Sequence, residues 1–357
     1  EFIPSKFLVH EKHIAVYAGK KDTGVIRANR PERLLKNSLL TPSLAAGVID
    51  AKYVNHMPLN RLSEDFKRKN VNISKQVLAG WMIKLADRYL SSVYRHMHDE
   101  ILRSKLIHCD ETPFKVINNG RGPNTKDYMW VYHSYERYGS PPIYLSGYHD
   151  GKRNSDALRE FLGDYKGTLM TDGYHVYHTV SGERGDTIKV AGCWAHVKRR
   201  FANQVKSMGV KTAYGTIADE GNKRIAAIYH VDNMYKDKSE EERLKNRQDS
   251  VKPLVDAYFA WIRSLSERPD VDKGSNMGKT ITYSLNQEQF LREFLNNPII
   301  PLDNNDTKRS VRSFCVGKHR WNVIGTKNGA ASSAILYSIA ETAKANDLKT
   351  FEYFQYL

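Results

Sequence analysis

The sequence predicts an α/β fold: a mixed five-stranded sheet with helices, interrupted by a helical insertion and preceded by an N-terminal helical region. Three observations predict it. Between residues 105 and 206, β-forming runs come first as a block of three and then alternate with helical runs. Residues 41–104 carry apolar residues at helical spacing instead, and 207–300 read as mostly helical and strongly charged. Residues 301–357 then return to a helix, a basic loop and a long apolar helix.

Taken in order, KFLVHEKHIAVYAG within residues 1–40 alternates apolar and polar residues, which predicts a strand or hairpin, followed by a basic, irregular stretch. In residues 41–104, Leu44, Val48, Ile49 and Val54 fit one helical face. PLNRLSEDFKRKN reads as a second helix, and Asn72 and Ser74 supply turn and cap chemistry. KQVLAGWMIKLADRYL follows as a third helix, with Val77, Leu78, Trp81, Met82 and Leu85 on one face. Helix, short turn, helix is the layout of a helix-turn-helix, whose second helix enters a major groove. An ordinary helical bundle has the same pattern, so DNA contact by this region stays open.

From residue 105, KLIHCDETPFKVI, DYMWVYHSY and PPIYLSGYH are strand patterns, with Asn119, Gly122, Pro123 and Gly139 punctuating the gaps. SDALREFLG is a short helix with Ser155 as its cap. GTLMTDGY is a fourth strand ending at Asp172, and TIKVAGCWAH a fifth. HVKRRFANQV is a helix with Val197, Phe201 and Val205 inward and Lys198, Arg199 and Arg200 outward. The order β-β-β-α-β-(α)-β-α is that of the ribonuclease-H-like fold. Within 207–300, read as the helical insertion, KDKSEEERLKNRQDS is a solvated helix or long arm. In PLDNNDTKRSVRSF, Asp303 or Asn304 is placed to cap a helix. KHRWNVIGTKNGA is read as a basic loop and SSAILYSIAETAKAND as the closing helix.

Composition narrows the class of partner. The chain has 55 Lys+Arg against 40 Asp+Glu, a formal charge of +15, which points to a polyanion, with nucleic acid as the default. No apolar run approaches the roughly 20 residues of a membrane span, and no signal peptide is visible. The first residue is Glu, so the sequence is read as beginning inside a longer protein. Cys109, Cys193 and Cys315 lie far apart, which argues against a disulfide framework and for a reducing, cytoplasmic compartment.

Two acids stand where metal chemistry needs them. Asp110 lies within the first strand and Asp172 at the end of the fourth, and in the inferred order these strands are neighbours. Carboxylates facing each other across a sheet repel, and a hard divalent cation such as Mg²⁺ or Mn²⁺ relieves that repulsion. Such ions support in-line phosphoryl transfer. An isolated Asp at a strand end is more often a turn residue; the pairing, on a basic chain, is what carries the functional reading. Glu111 points to the opposite side of its strand, which argues against its being a ligand. Glu341, in the last helix, is read as structural or as supporting the site from behind.

HCDETPFKV, TDGY, GCWAHVKRRF, PLDNN and VGKHRW…GA…AILYSIAETAKAN together resemble successive signatures of the insertion sequence 66 family of bacterial transposases, in order from about residue 108 to the end. The resemblance implies a core that uses two Asp and one Glu, with Asp110 and Asp172 as the first two acids. It implies double-stranded DNA as partner, a homodimer acting on two transposon ends, and a nucleoid-associated location. Members normally carry an upstream zinc-binding domain, to which nothing here corresponds. The third acid departs from the pattern: the expected Glu is Lys308. Helical spacing sets Lys308 on one side with Val311, Arg312 and Cys315, towards the sheet. An ammonium there pairs with the aspartates and does not ligate a cation, which predicts a crippled catalyst. A ligand drawn from Asp303 or Asp306, or a DNA-binding protein without catalysis, are the competing readings.

Cys193 and His196 form a Cys-x-x-His pair. As a zinc site it is half complete; the resemblance offers a local structural or DNA-positioning role instead, and a packed Cys with a hydrogen-bonded His remains equally open. Trp194 is expected to pack the insertion against the core. Arg199, Arg200, Arg309, Arg312, Lys318, His319, Arg320 and Lys327 flank the proposed site and are candidates for phosphate contact. Trp321 among them either stacks on a base or packs.

Overall fold

The computed structural model describes residues 6–18, 24–27, 29, 32–122, 125–134 and 141–357, with the backbone alone at 306–310. Near the start, strands β1 (Val16–Ala18) and β2 (Val25–Arg27) pair antiparallel. Helices α1 (Pro42–Ile49), α2 (Leu59–Arg68), α3 (Lys75–Leu85) and α4 (Ser91–Ile101) follow. Thr41 and Ser74 cap α1 and α3, each side chain accepting a backbone N–H one turn on. Leu78, Trp81, Met82 and Leu85 are buried as the periodicity predicts. Val77 is not: it lies in the first turn, off the apolar stripe, and is 44% exposed. The buried residues of these helices share one apolar core with part of the sheet and the C-terminal helix.

The sheet is built from β3 (Leu106–Phe114), β5 (Asp127–Ser134), β6 (Tyr144–Gly147), β7 (Gly167–Thr171) and β8 (Ile188–Gly192), with β4 (Val116–Asn118) outside it. Its order is β6-β5-β3-β7-β8. Strand β5 pairs antiparallel with both β6 and β3, and β3, β7 and β8 run parallel. Helix α5 (Ser155–Leu162) connects β6 to β7, and α6 (His175–Arg184) connects β7 to β8. Alternation along β3 divides the faces: Ile107 and Cys109 enter the core shared with the first helices, whereas Leu106 joins Met170 and Ala191 in a second core.

Helix α7 (Trp194–Met208) leads into the helical stretch: α8 (Val210–Ala213), α9 (Ile217–Asn233), α10 (Glu240–Asn246), α11 (Lys252–Ser266), α12 (Asn276–Asn286) and α13 (Glu288–Arg292). Trp194 roots it. Its indole N–H donates to the Leu291 carbonyl at 2.9 Å, and its ring lies against Tyr258, Phe259 and Phe294. The chain then returns through α14 (Asn305–Trp321), β9 (Ile324–Thr326), α15 (Lys327–Ala345) and α16 (Thr350–Tyr356). Among the described residues, no helix is long and apolar enough to cross a membrane.

Several local expectations are corrected. KLIHCDETPFKVI is two strands, because after Phe114 the chain leaves β5, and β4 pairs parallel with β9 instead. The cap of α5 is Asn154, whose side chain accepts the Ala157 N–H at 3.2 Å, and Ser155 is the first helical residue. KHRW belongs to the last turn of α14. KDKSEEERLKNRQDS is not wholly solvated: Arg243 and Arg247 are buried, and both pair with buried Asp232. Arg247 also donates to the Phe294 and Asn297 carbonyls, so its charge is matched rather than hydrated.

Lys52, half-buried behind α1, stands 5.1 Å from the Tyr53 ring centroid and 5.9 Å from that of Trp321. Burial lowers its ammonium from 10.5 to about 8. Between those values the unfolded chain holds a proton that the folded chain has released, so stability from this group rises with pH across that window. Below it, the buried charge opposes folding. Lys52→Met is expected to stabilise the protein at pH 7 by about 1–2 kcal/mol, less than the full shift implies because solvent and the two rings offset part of the penalty. Chemical denaturation across pH 7–10 checks this; a variant no more stable at pH 7 and equally pH-dependent counts against it.

Candidate active site

Asp110 and Asp172 lie at the same height on neighbouring strands. The parallel register pairs Leu106 with Thr168, Ile107 with Leu169 and His108 with Met170. Continued by two residues, it sets Asp110 level with Asp172, the first residue beyond β7. Both share parity with Leu106 and Met170, which lie in one core, so both belong to the same face of the sheet. Each is half-buried. The Glu111 N–H donates to Asp110 Oδ1 at 2.9 Å, and the Tyr174 N–H donates to Asp172 Oδ1 at 3.0 Å. The pairing of β3 with β7 ends at His108, so the far half of β3 has an open edge. That edge explains how Pro113, which has no N–H to offer a ladder, is tolerated in a central strand.

Helix α14 crosses this face. Thr112 Oγ1 and Cys315 Sγ are in hydrogen-bond contact at 3.4 Å, and the Lys318 ammonium donates to the Pro113 carbonyl at 2.9 Å. Thr112 has the parity of Asp110, so the Cys315 stripe of α14 overlies the aspartate side of β3. Position 308 lies two turns earlier on the same stripe. The side chains of Lys308 and Arg309, and that of Asp306, lie outside the described residues.

The start of α14 is tied down by Asn304, which is wholly buried. Its Nδ2 donates to the Cys109 carbonyl at 3.0 Å, leaving Oδ1 to accept from His108 Nδ1–H at 2.7 Å. Its backbone N–H donates to Cys193 Sγ at 3.3 Å. Asn304 is the N-cap residue, but its side chain makes no cap bond; it grips β3 instead. Asp303 Oδ1 accepts the Asn305 N–H at 3.0 Å.

Cys193 is not the last residue of a strand but the N-cap of α7, and it is buried. Its N–H donates to the Thr171 carbonyl at 3.1 Å, and its carbonyl accepts the His196 N–H at 3.1 Å. Among the described residues, no group of three or more His, Cys, Asp or Glu is placed to hold a metal. Cys193 Sγ accepts a hydrogen bond at a junction of β7, α7 and α14.

The basic residues separate. Arg200 is exposed and stacks 4.1 Å from the Tyr283 ring centroid, and the Tyr283 hydroxyl donates to the Asp172 carbonyl, so Arg200 borders the aspartates. Arg199 is exposed beside it. Lys318 lies on the β3 edge, with His319 and Arg320 exposed in the same turn of α14. Lys327 pairs with Asp150 at 3.3 Å. Arg312 is exposed and lines a cavity of about 440 Å³ together with His56, Tyr144, Glu341 and Lys344. Glu341 accepts from Ser313 and from Lys344, each at 2.8 Å, which fits a structural part. Trp321 packs edge-on against Phe314 at 5.6 Å.

Glu111, which strand alternation argues against as a ligand, has a part that the sequence does not reveal. It does face away from Asp110, but its carboxylate is buried against Arg153 and Tyr177. Burial pushes its carboxyl up, as does the nearby Asp172; Arg153 and Tyr177 pull it back. A buried acid beside a half-buried one was signalled only by the acidic dipeptide Asp110–Glu111.

Residues 37–332 match the transposase IS66 family, and the chain belongs to that family. It is similar to two uncharacterized proteins of Sinorhizobium fredii (strain NBRC 101917 / NGR234). To y4qI it is 26% identical over 362 residues, covering 99% of this chain and 65% of the relative. To y4hP it is 26% identical over 359 residues, covering 98% of this chain and 64% of the relative. The chain thus spans about 65% of the length of the curated relatives it matches.

Proposed function

We propose that this chain is the ribonuclease-H-like core of a DNA transposase, built for 3′-end cleavage and strand transfer and held at low activity by Lys308. The observation that carries the reading is the level, same-face placement of Asp110 and Asp172 on adjacent parallel strands. The strand order β6-β5-β3-β7-β8, with three antiparallel strands followed by two parallel ones, supports the fold assignment. Residues 207–300 then form the insertion between the second and third acid positions.

Two carboxylates on one rim suit Mg²⁺ or Mn²⁺, which take oxygen ligands and fill their remaining positions with water and phosphate. Asp110 and Asp172 would hold the ion, and the bound ion would offset phosphate charge and activate a water or 3′-hydroxyl. The protein's own part is orientation. Backbone N–H bonds to one oxygen of each aspartate fix both carboxylates before DNA arrives. Arg199, Arg200, Lys318, His319 and Arg320 would meet the DNA backbone at the rim, with Arg309, Arg312 and Lys327 as further candidates for phosphate contact. Lys308 stands where the family pattern has an acid, and an ammonium offers no lone pair to a cation. A homodimer acting on two DNA ends in the bacterial cytoplasm completes the proposal.

Lys308 also favours a second reading, a DNA-binding protein without catalysis. Calorimetric titration with Mn²⁺ separates the two. Binding that disappears in Asp110→Ala is the expected result; absence of binding in the parent protein favours the second reading.

A further inference from the structure

We propose that Arg153 is a positioning residue that sets Asp110 and Asp172 in fixed relation to each other. The inference rests on reading those two residues as the metal-holding pair. Backbone pairing between β3 and β7 stops at His108 and Met170, so no ladder bond holds Asp110 against Asp172. Arg153 is bound to both sides.

On the β3 side, Arg153 Nε donates to Glu111 Oε1 at 2.8 Å, and Nη2 donates to the same oxygen. The Tyr177 hydroxyl holds the other oxygen at 2.8 Å. Glu111 is the residue whose N–H orients Asp110. On the β7 side, the Arg153 guanidinium stands 3.8 Å from the Tyr174 ring centroid. The Tyr174 hydroxyl donates to the Arg153 carbonyl at 2.8 Å. Tyr174 is the residue whose N–H orients Asp172. One side chain, from the loop before α5, thus grips the neighbour that aims each aspartate. A guanidinium suits this place: it is planar, it donates to a carboxylate from two nitrogens, and it stacks on an aromatic face. A lysine keeps the charge but does none of these three together.

Residues that hold metal ligands in place without touching the metal are worth about 10- to 100-fold in metal affinity. Arg153→Lys is therefore expected to weaken Mn²⁺ binding by about that factor, read by calorimetry, with a cooperative melting transition retained. Arg159→Lys is the control. Arg159 binds Asp156 and Glu183 on the outside of α5, and its replacement should leave Mn²⁺ affinity unchanged. If Arg153→Lys does not fold, Tyr174→Leu, which removes the ring but keeps the N–H to Asp172, is read in the same way. Parental Mn²⁺ affinity in the folded variant overturns the role of Arg153 alone. A parent protein with no Asp110-dependent Mn²⁺ binding overturns the metal pair itself, and this inference with it.

Discussion

Lys308→Glu is expected to raise metal-dependent cleavage of cognate DNA ends by roughly 10²–10³-fold, the scale that one preorganised charged group contributes to a transition state. The substitution changes two things together. It removes an ammonium from the stripe of α14 that overlies Asp110, and it supplies carboxylate oxygens in its place. On the proposed reading, an ammonium has no lone pair for a cation and competes with it for the negative potential of the aspartates. A third carboxylate reverses this, making the rim more negative and completing the donor set. Lys308→Gln separates the effects, since it removes the charge but adds no anionic ligand, and it should recover only a minor part of the gain. Cleavage is followed on labelled duplex ends over a Mn²⁺ series, with Asp172→Ala as the blank. Efficient cleavage by the Lys308 protein, not improved in Lys308→Glu, would falsify the proposal that this position limits activity. Asp303 would be the next residue to test in that event, since it stands at the start of the same helix.

The elements legible in the sequence were those that local pattern encodes. Alternation of β-formers identified the strands that carry Asp110 and Asp172, and their order made the two strands neighbours. Helical periodicity found the apolar stripe of α3 and the inward face of α7, where Val197 and Phe201 are buried. What stayed hidden depends on contacts between distant segments. Arg247 reads as a surface charge until Asp232 and two carbonyls surround it. The break after Phe114 requires β9, more than 200 residues on, to take β4 as its partner. Glu111 was assigned to the correct side of β3 by simple alternation, yet its significance lies in Arg153, which comes from a loop. A helical wheel does not show that Arg312 lines a cavity with Glu341 and Lys344 of α15.

Asn304→Ala is expected to cost about 3–5 kcal/mol of stability, because it strips partners from polar groups buried away from the surface. Two side-chain bonds go at once, the one to the Cys109 carbonyl and the one from His108, and both of those residues are fully buried. The backbone bond to Cys193 Sγ survives substitution but loses the side chain that holds it in register. Asn304→Asp is a sharper variant. Its carboxylate keeps an acceptor for His108 but has no donor for the Cys109 carbonyl, and it buries a charge, so it should be at least as destabilising. Urea denaturation measures both. The functional consequence follows from position: Asn304 immediately precedes α14 and grips the residue before Asp110, so it ties the start of α14 to the strand that carries Asp110. In the Lys308→Glu background, Asn304→Ala should therefore remove most of the gained cleavage per folded molecule, even at a temperature where the variant remains folded. Retention of that gain alongside the stability loss would show that Asn304 supports the core but does not align α14 with the aspartates.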